Sequence, residues 1–277
     1  MNNSLTKEKK KILLLSDDVR GKTGVSNISK KLVFHLCKKF NIVQLAANSV
    51  LPDSEVGSII DVSDSVSKQI SENNKVSIKL YPIIGYGDSV ILRHILEIEH
   101  PDIILHITDP HRWNYLYNLE YEIRQKIPIT YYHVWDNYPY PMFLKSVYQS
   151  CDWVACISKL TYECVLNVSP ETEIEYIPHG VDLNIFRKLD KSMIVKLKKD
   201  FLGKNYKYVV LCNNVNIKRK ELPSVIDAYA KFYRNLSLTE KETTVLLIHT
   251  NSSTGSTNLK KLINDLYIDV PVFFSTD

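Results

Sequence analysis

Short runs of consecutive apolar residues recur along the chain, separated by stretches in which apolar positions fall every three to four residues. The first run is Lys11–Ser16 (KILLLS), strand-sized and apolar at nearly every position, as a strand covered on both faces requires. A loop follows over 19–24. From Ser26 to Phe40, residues Ile28, Leu32, Val33, Leu36 and Phe40 share one helical face. Asn41–Ala46 is the next strand, so the chain opens as a βαβ unit. The segment 48–74 is rich in Ser, Asp and Asn and reads as irregular, with weak strands at 57–62 and 76–81. Beyond it the alternation is regular. A helix over 90–99 is stopped by Pro101-Asp102, and strand 103–107, helix 113–125 and strand 129–133 follow. After a Tyr- and Pro-rich loop come helix 142–149, strand 152–157, helix 159–167 and strand 174–177. Strands that alternate with helices in this way predict a doubly wound parallel sheet.

The C-terminal third repeats the pattern on a smaller scale. A basic helix over 192–201 leads to strand 207–212, helix 221–235, strand 244–249, helix 259–266 and strand 272–274. Three strands in roughly 70 residues make about half of a usual α/β unit. The expected organisation is an N-terminal Rossmann-like domain over 1–186, a linker and helix over 187–205, and an incomplete second Rossmann-like domain over 206–277. With the sheet ending at Val272–Phe274, an exposed apolar edge is expected there.

Composition narrows the function classes. Of 277 residues, 44% are hydrophobic and 24% charged, which excludes a disordered, collagen-like or coiled-coil chain. The apolar runs are too short to span a membrane, and the N-terminus lacks an apolar signal core, so a cytoplasmic protein is expected. Five cysteines without a C-x-x-C pair argue against a disulfide framework or a zinc site. A net charge of +4 makes no case for nucleic acid. Lys30, Lys31, Lys38 and Lys39 lie opposite the apolar face of the first helix; a solvated face is the simpler account, with contact to an anionic membrane surface left open.

In an open α/β sheet, ligands bind beyond the carboxyl ends of the strands. Residues that follow the strands are therefore the candidates: Thr23-Gly24, Thr108-Asp109-Pro110, His133, Ser158, His179-Gly180, Asn213 to Lys220 and Thr250 to Gly255. His133 at a strand end suits a sugar hydrogen bond or proton exchange near neutral pH, against the alternative of a structural histidine. His179, between Pro178 and Gly180, reads as a turn residue. Lys218, Arg219 and Lys220 precede a helix, where backbone N–H groups and side-chain charge add to make an anion site; a solvated basic loop is the alternative. Gly24 matches neither G-x-G-x-x-G nor a Walker A loop, yet lets a ligand approach a helix N-terminus.

Taken in order, these pieces resemble a family 4 glycosyltransferase of the GT-B fold, from about Lys11 to Asp277. Thr23-Gly24-Val25-Ser26 matches the family's glycine-bearing first loop. Tyr86-Gly87-Asp88, a helix and Pro101-Asp102-Ile103-Ile104 form a second stretch. Ile129–His133 resembles the strand that ends in the family's active-site histidine. Asp152 to Ser158 and Tyr176-Ile-Pro-His-Gly-Val-Asp182 with Phe186 complete the set. The resemblance implies two Rossmann-like domains with the active site in the cleft between them. It also implies sugar transfer from a nucleotide-sugar donor with retention of configuration and without a metal or other cofactor. By it His133 is the catalytic candidate, and Thr23, Gly24 and Asp109 form the nucleotide or acceptor loop. Arg219, Lys220, Lys218 and Asn214 would bind the donor diphosphate. Two departures stand out. Asn214 occupies the place of a usual arginine and Asn213 that of a usual glycine, and the family's Glu-x7-Glu segment is absent.

The implied function is a retaining glycosyltransferase for polysaccharide biosynthesis or a related pathway. Its partners would be a nucleotide-sugar and a glycan, lipid or protein acceptor, with a missing C-terminal half or a completing partner left open. Two alternatives are a catalytically inactive glycan-binding or regulatory relative, and a nucleotide-sugar epimerase of the same fold.

Overall fold

The computed structural model describes residues 9–50, 57–70 and 76–275. The chain divides into two compact units, Met1–Gly180 and Val181–Asp277.

The first unit is built on an eight-stranded sheet in the order β3-β4-β2-β1-β5-β6-β7-β8. Its strands are β1 (Lys11–Asp17), β2 (Asn41–Ala47), β3 (Ile60–Asp61), β4 (Ile78–Pro82), β5 (Ile103–Ile107), β6 (Ile129–His133), β7 (Trp153–Cys156) and β8 (Ile174–Tyr176). Only β3 runs antiparallel to its neighbour. The apolar run of β1 is explained by its position. Leu13 and Leu15 face one layer, with Leu92, Ile95, Leu116, Val147 and Val165. Ile12 and Leu14 face the other, with Val33, Cys37 and Val66. A strand whose alternate residues enter two separate cores has no face for a polar side chain. The covering helices are α1 (Gly24–Leu36) and α2 (Ser63–Ile70) on the second layer, and α3 (Ser89–Glu99), α4 (Asn114–Asn118), α5 (Glu120–Ile123), α6 (Lys145–Gln149) and α7 (Lys159–Val168) on the first. The doubly wound parallel sheet is as expected.

Three local expectations are corrected. The segment 113–125 is not one helix. Trp113 closes a 3-10 turn that starts at Pro110, its indole N–H donates to the Ile107 carbonyl, and the backbone bends again at Leu119 between α4 and α5. Asn114 and Asn118, weak helix formers, give that stretch little reason to stay continuous. The helix over 142–149 likewise opens as a 3-10 turn, Met142–Leu144, before α6. The strand over 57–62 shrinks to Ile60–Asp61, and α2 follows where an irregular segment was expected. Its apolar signal amounts to Val66 and Ile70, and Ser63 anchors its start by accepting the Ile78 N–H. Residues 51–56 and 71–75 of that irregular segment lie outside the described residues.

The second unit begins with α8 (Lys191–Leu202) and a three-stranded parallel sheet in the order β11-β10-β9. The strands are β9 (Tyr208–Asn213), β10 (Thr244–His249) and β11 (Val272–Phe274), joined by α9 (Leu222–Arg234), α10 (Leu238–Lys241) and α11 (Leu259–Leu266). Leu222, Ile226 and Ala230 of α9 pack with Leu246, Ile248 and Leu259 to form its core. Among the described residues this sheet has two edge strands, β11 as expected and β9 as well. Val272, Phe273 and Phe274 are half-buried, whereas Tyr208, Val210 and Leu211 of β9 are exposed. Among the described residues, β9 and β11 each pair with β10 alone, and the apolar side chains of β9 are the more exposed. A full Rossmann-like sheet in one unit and a smaller, partial one in the other make the architecture GT-B-like.

One buried carboxylate ties the amino-terminal edge of the first sheet. Glu99, 2% exposed, ends the inward face of α3. It accepts from Lys11 Nζ and Lys79 Nζ at 2.9 Å each and from the Tyr81 hydroxyl at 2.7 Å. Burial opposes its charge, but the Lys79, Tyr81 and Lys11 hydrogen bonds outweigh burial and hold the carboxyl at about 2. Its stabilising contribution is therefore complete above the usual carboxylate range and is lost as pH falls toward that value. Glu99→Gln is expected to lower the urea midpoint of the first unit at neutral pH, by a margin that closes between about pH 4.5 and pH 2. A margin that stays constant over that range would show that the carboxylate is not held in its charged form.

Candidate functional site

The strand order of the first unit reverses between β1 and β5. The chain runs outward from β1 through β2 to β4, then returns to β5 and continues to β8. At such a switch point the two flanking loops separate and leave a crevice beyond the strand ends. Thr23 and Asp109 lie in those two loops, and Gly24 opens α1 at the end of the first. Thr23 caps α1: its hydroxyl oxygen accepts the Ser26 N–H at 3.0 Å, and its hydroxyl donates to Asp17 Oδ2 at 2.7 Å. Gly24 has open space around the position a Cβ would take. Gly21 is different. A side chain there would meet Ser26 Oγ at 2.5 Å, so closure of the loop requires that glycine.

The crevice also gathers residues that sequence reasoning did not single out as site residues. Asp17, buried at the end of β1, accepts the Tyr86 hydroxyl at 2.9 Å. The Tyr86 ring lies edge-on to Trp113 and under the Arg112 guanidinium at 5.1 Å. Burial first, then the hydrogen bond to Asp17, pushes the Tyr86 phenol up to about 12. Asp109 and Arg112 act on that phenol with opposite sign. Between β5 and Asp109, Thr108 is buried at φ 82°. A β-branched residue in the left-handed region is a strained conformer, worth about 1–3 kcal/mol, that the surrounding structure must enforce. The signal for Asp17 was its place directly after KILLLS. Arg112 and Tyr86 are distant in sequence from it and from each other, and only the fold joins them.

His133 ends β6, but its ring is 0% exposed. Nδ1 lies 2.9 Å from the Tyr131 hydroxyl and accepts the Trp135 N–H at 3.3 Å, while Nε2 lies 2.9 Å from the Tyr148 hydroxyl. A nitrogen that accepts an N–H carries no proton, so the neutral Nε2–H tautomer fits. Burial pushes this imidazole down to about 3. His106, fully buried and stacked on Tyr131 at 4.1 Å, is held well below the usual histidine range by burial and then by His133. In this structure the His133 ring is thus enclosed by Tyr131, Tyr148 and the Trp135 backbone. His179 is exposed in the loop after β8, beside the Tyr132 ring.

In the second unit, Lys218–Lys220 forms a 3-10 turn between β9 and α9. Glu221 follows at φ 48°, and α9 starts with Pro223 in its first turn. Among the described residues, Lys218, Arg219 and Lys220 make no side-chain hydrogen bond or ion pair, and Lys218 and Arg219 are exposed. Three cations at the start of a 13-residue helix concentrate positive potential at the carboxyl end of β9. Asn214, half-buried, is held by its backbone N–H to the His249 carbonyl. Among the described residues, no group of three or more His, Cys, Asp or Glu is placed to hold a metal ion, and no helix is long and apolar enough to cross a membrane.

Two α/β units with these sheets define a GT-B-like protein. Residues 66–185 match the family model described as Glycosyltransferase Family 4. No curated protein matches the chain. Among solved structures it is similar to HepE from Anabaena in complex with UDP and glucose: 14% identity, 96% of this chain and 68% of that chain covered, TM-score 0.59. A glycosyltransferase from Rickettsia africae is 16% identical, with 96% and 68% covered and a TM-score of 0.56. An alpha,alpha-trehalose-phosphate synthase (UDP-forming) from Burkholderia vietnamiensis is 10% identical, with 96% and 72% covered and a TM-score of 0.59. At these identities the likeness is one of fold.

A histidine held near 3 when folded, against 6.5 when free, binds its proton only after unfolding at intermediate pH. Stability is then complete above 6.5 and falls by about 1.4 kcal/mol per pH unit per histidine below it. All three tryptophans lie in the first unit, so their fluorescence reports its unfolding alone. His133→Asn is expected to lose about 1–3 kcal/mol at neutral pH for each tyrosine hydroxyl left unpaired, and to flatten the decline between pH 6.5 and pH 5. An unchanged slope would mean that the imidazole titrates normally in the folded protein.

Proposed function

We propose that the protein is a retaining glycosyltransferase that moves a sugar from a nucleotide-sugar to an acceptor hydroxyl. The family 4 match over residues 66–185 carries this reading and favours it over an epimerase of the same fold. In the reaction the bond from the anomeric carbon to the donor phosphate breaks, and a glycosidic bond to the acceptor oxygen forms. The acceptor loses a proton, and a nucleoside diphosphate leaves.

Lys218, Arg219 and Lys220 are assigned to the departing diphosphate. Arginine offers a two-pronged donor set and lysine a compact charge, and both meet negative charge as it develops. Asn214 contributes a polar contact without charge. Thr23, Gly24 and Asp109, with Asp17, Tyr86 and Arg112, are assigned to a hydroxyl-rich ligand at the switch-point crevice. His133 is assigned to holding the β6 loop through the Trp135 N–H, since both ring nitrogens are already taken up by protein partners. The acceptor is a glycan, lipid or protein hydroxyl, the setting cytoplasmic or at a membrane surface, and neither nucleic acid nor a metal takes part.

The closed His133 site favours one second reading, a glycan-binding relative without turnover. A panel of nucleotide-sugars, with released nucleoside diphosphate and product configuration read by NMR, separates the two. Transfer with retention is expected, and Lys220→Ala and Arg219→Ala should each lower turnover on the order of 10²–10³-fold. Glycan binding without transfer would favour the second reading, and full turnover in both variants would remove the basic turn from the mechanism.

A further inference from the structure

The loops that follow β9 and β10 are held together by one side chain. Asn216 is 3% exposed and lies two residues before the basic turn. Its amide nitrogen donates toward three backbone carbonyls of the β10 loop: Thr257 at 2.7 Å, Thr254 at 2.9 Å and Asn251 at 3.3 Å. The exchange is reciprocal. The Asn216 carbonyl accepts the Ser256 N–H at 3.0 Å, and Oδ1 accepts the Ser256 hydroxyl at 3.3 Å. The two loops are thereby fastened across 35 to 41 residues of sequence.

Gly255 makes this approach sterically feasible. It sits at φ 113°, and a Cβ there would stand 2.2 Å from the Asn216 carbonyl oxygen and 3.0 Å from its side chain. The β10 loop is folded in advance for the contact, because Asn251 Oδ1 accepts the N–H groups of Ser253 and Thr254 at 3.2 and 2.9 Å. On the other side, Lys220 N–H donates to the Ile217 carbonyl at 3.0 Å, and the basic turn starts two residues after the fastened asparagine.

The substitution logic is narrow. An aspartate would set a carboxylate against three carbonyl oxygens, an alanine would leave those carbonyls without the buried donor, and any side chain at 255 would collide with residue 216. So closely specified a contact between two loops that otherwise carry Ser, Thr and Lys does little for the core, which is made elsewhere by α9, β10 and α11. What it does fix is the place of the cations.

We propose that Asn216 and Gly255 are positioning residues, which lock the β10 loop onto the β9 loop so that Lys218, Arg219 and Lys220 meet a nucleoside diphosphate at a preset place. The inference rests on the assignment of the basic turn to the donor diphosphate. A side chain behind the contact residues acts by preorganisation, and losing such support typically costs on the order of ten- to a hundred-fold in affinity or rate.

The test uses the 277-residue chain with UDP and uridine as calorimetric probes, together with amide hydrogen exchange. The unaltered chain is expected to bind UDP more tightly than uridine. Asn216→Asp and Gly255→Ala should each raise the UDP dissociation constant about ten-fold or more, leave that for uridine unchanged, and speed exchange at 251–257 while β9 and β10 stay protected. General destabilisation would weaken both probes together, so selective loss of the diphosphate preference distinguishes positioning from mere folding. If the preference survives in variants whose 251–257 amides exchange faster, the positioning role is wrong though the lock is real. If the unaltered chain shows no preference for UDP, the diphosphate assignment itself fails, and Asn216 is left as a structural fastener.

Discussion

Pairing of β1 with β5 is the constraint on which the rest of the first unit depends. It joins Ile12–Leu15 to Ile103–His106 in parallel register and makes β1 the centre of the sheet. From that position follow the apolar run of β1, the need for helices on both faces, and the reversal of strand order that opens a crevice at the carboxyl ends. Asp17 and Thr108 lie at that edge because Asp17 ends β1 and Thr108 is the first residue past β5. The strained backbone of Thr108 and the Asp17–Tyr86 hydrogen bond are tolerated there because two cores hold the strands in place.

Buried polar side chains do a second job, holding loops and edges that apolar packing cannot specify. Glu99 gathers two lysines and a tyrosine at the amino-terminal edge. His133 joins two tyrosines and the loop after β6. Asn216 fastens two loops of the second unit. In each, one side chain saturates several partners, which is how a buried polar group avoids its desolvation cost and gains directional specificity. All three sit next to the strand ends, not in the middle of the cores.

Much of the fold was legible because its signals are local. Apolar runs marked every strand of both sheets, β3 in part, and period-3.6 faces marked α1, α3, α7, α9 and α11. What was missed lacks such signals. Helix α2 has two apolar contacts to show, and the bends at Trp113 and Leu119 depend on where the indole docks. The open edge at β11 was legible from chain order, whereas the second and more exposed edge at β9 follows only from the spatial order. The site was legible as a set of strand-end loops, since Thr23, Gly24, Asp109 and the basic turn do sit there. The burial of His133 was not, because it depends on Tyr131 and Tyr148, residues whose inward direction only the packed sheet decides. Asp17, Tyr86 and Arg112 come from three separated segments, and Asn216 gives no sign in sequence that its partners lie 35 to 41 residues away.

The central claim is that the second unit binds a nucleoside diphosphate at the carboxyl end of β9. Amide NMR of the full chain during a titration with UDP tests it most directly. The account predicts shift changes that cluster at 213–225 and 250–257. Changes confined to other regions, such as the apolar cavity of about 550 Å³ lined by Ile83, Val90 and Ile98, or no changes at all, would contradict it.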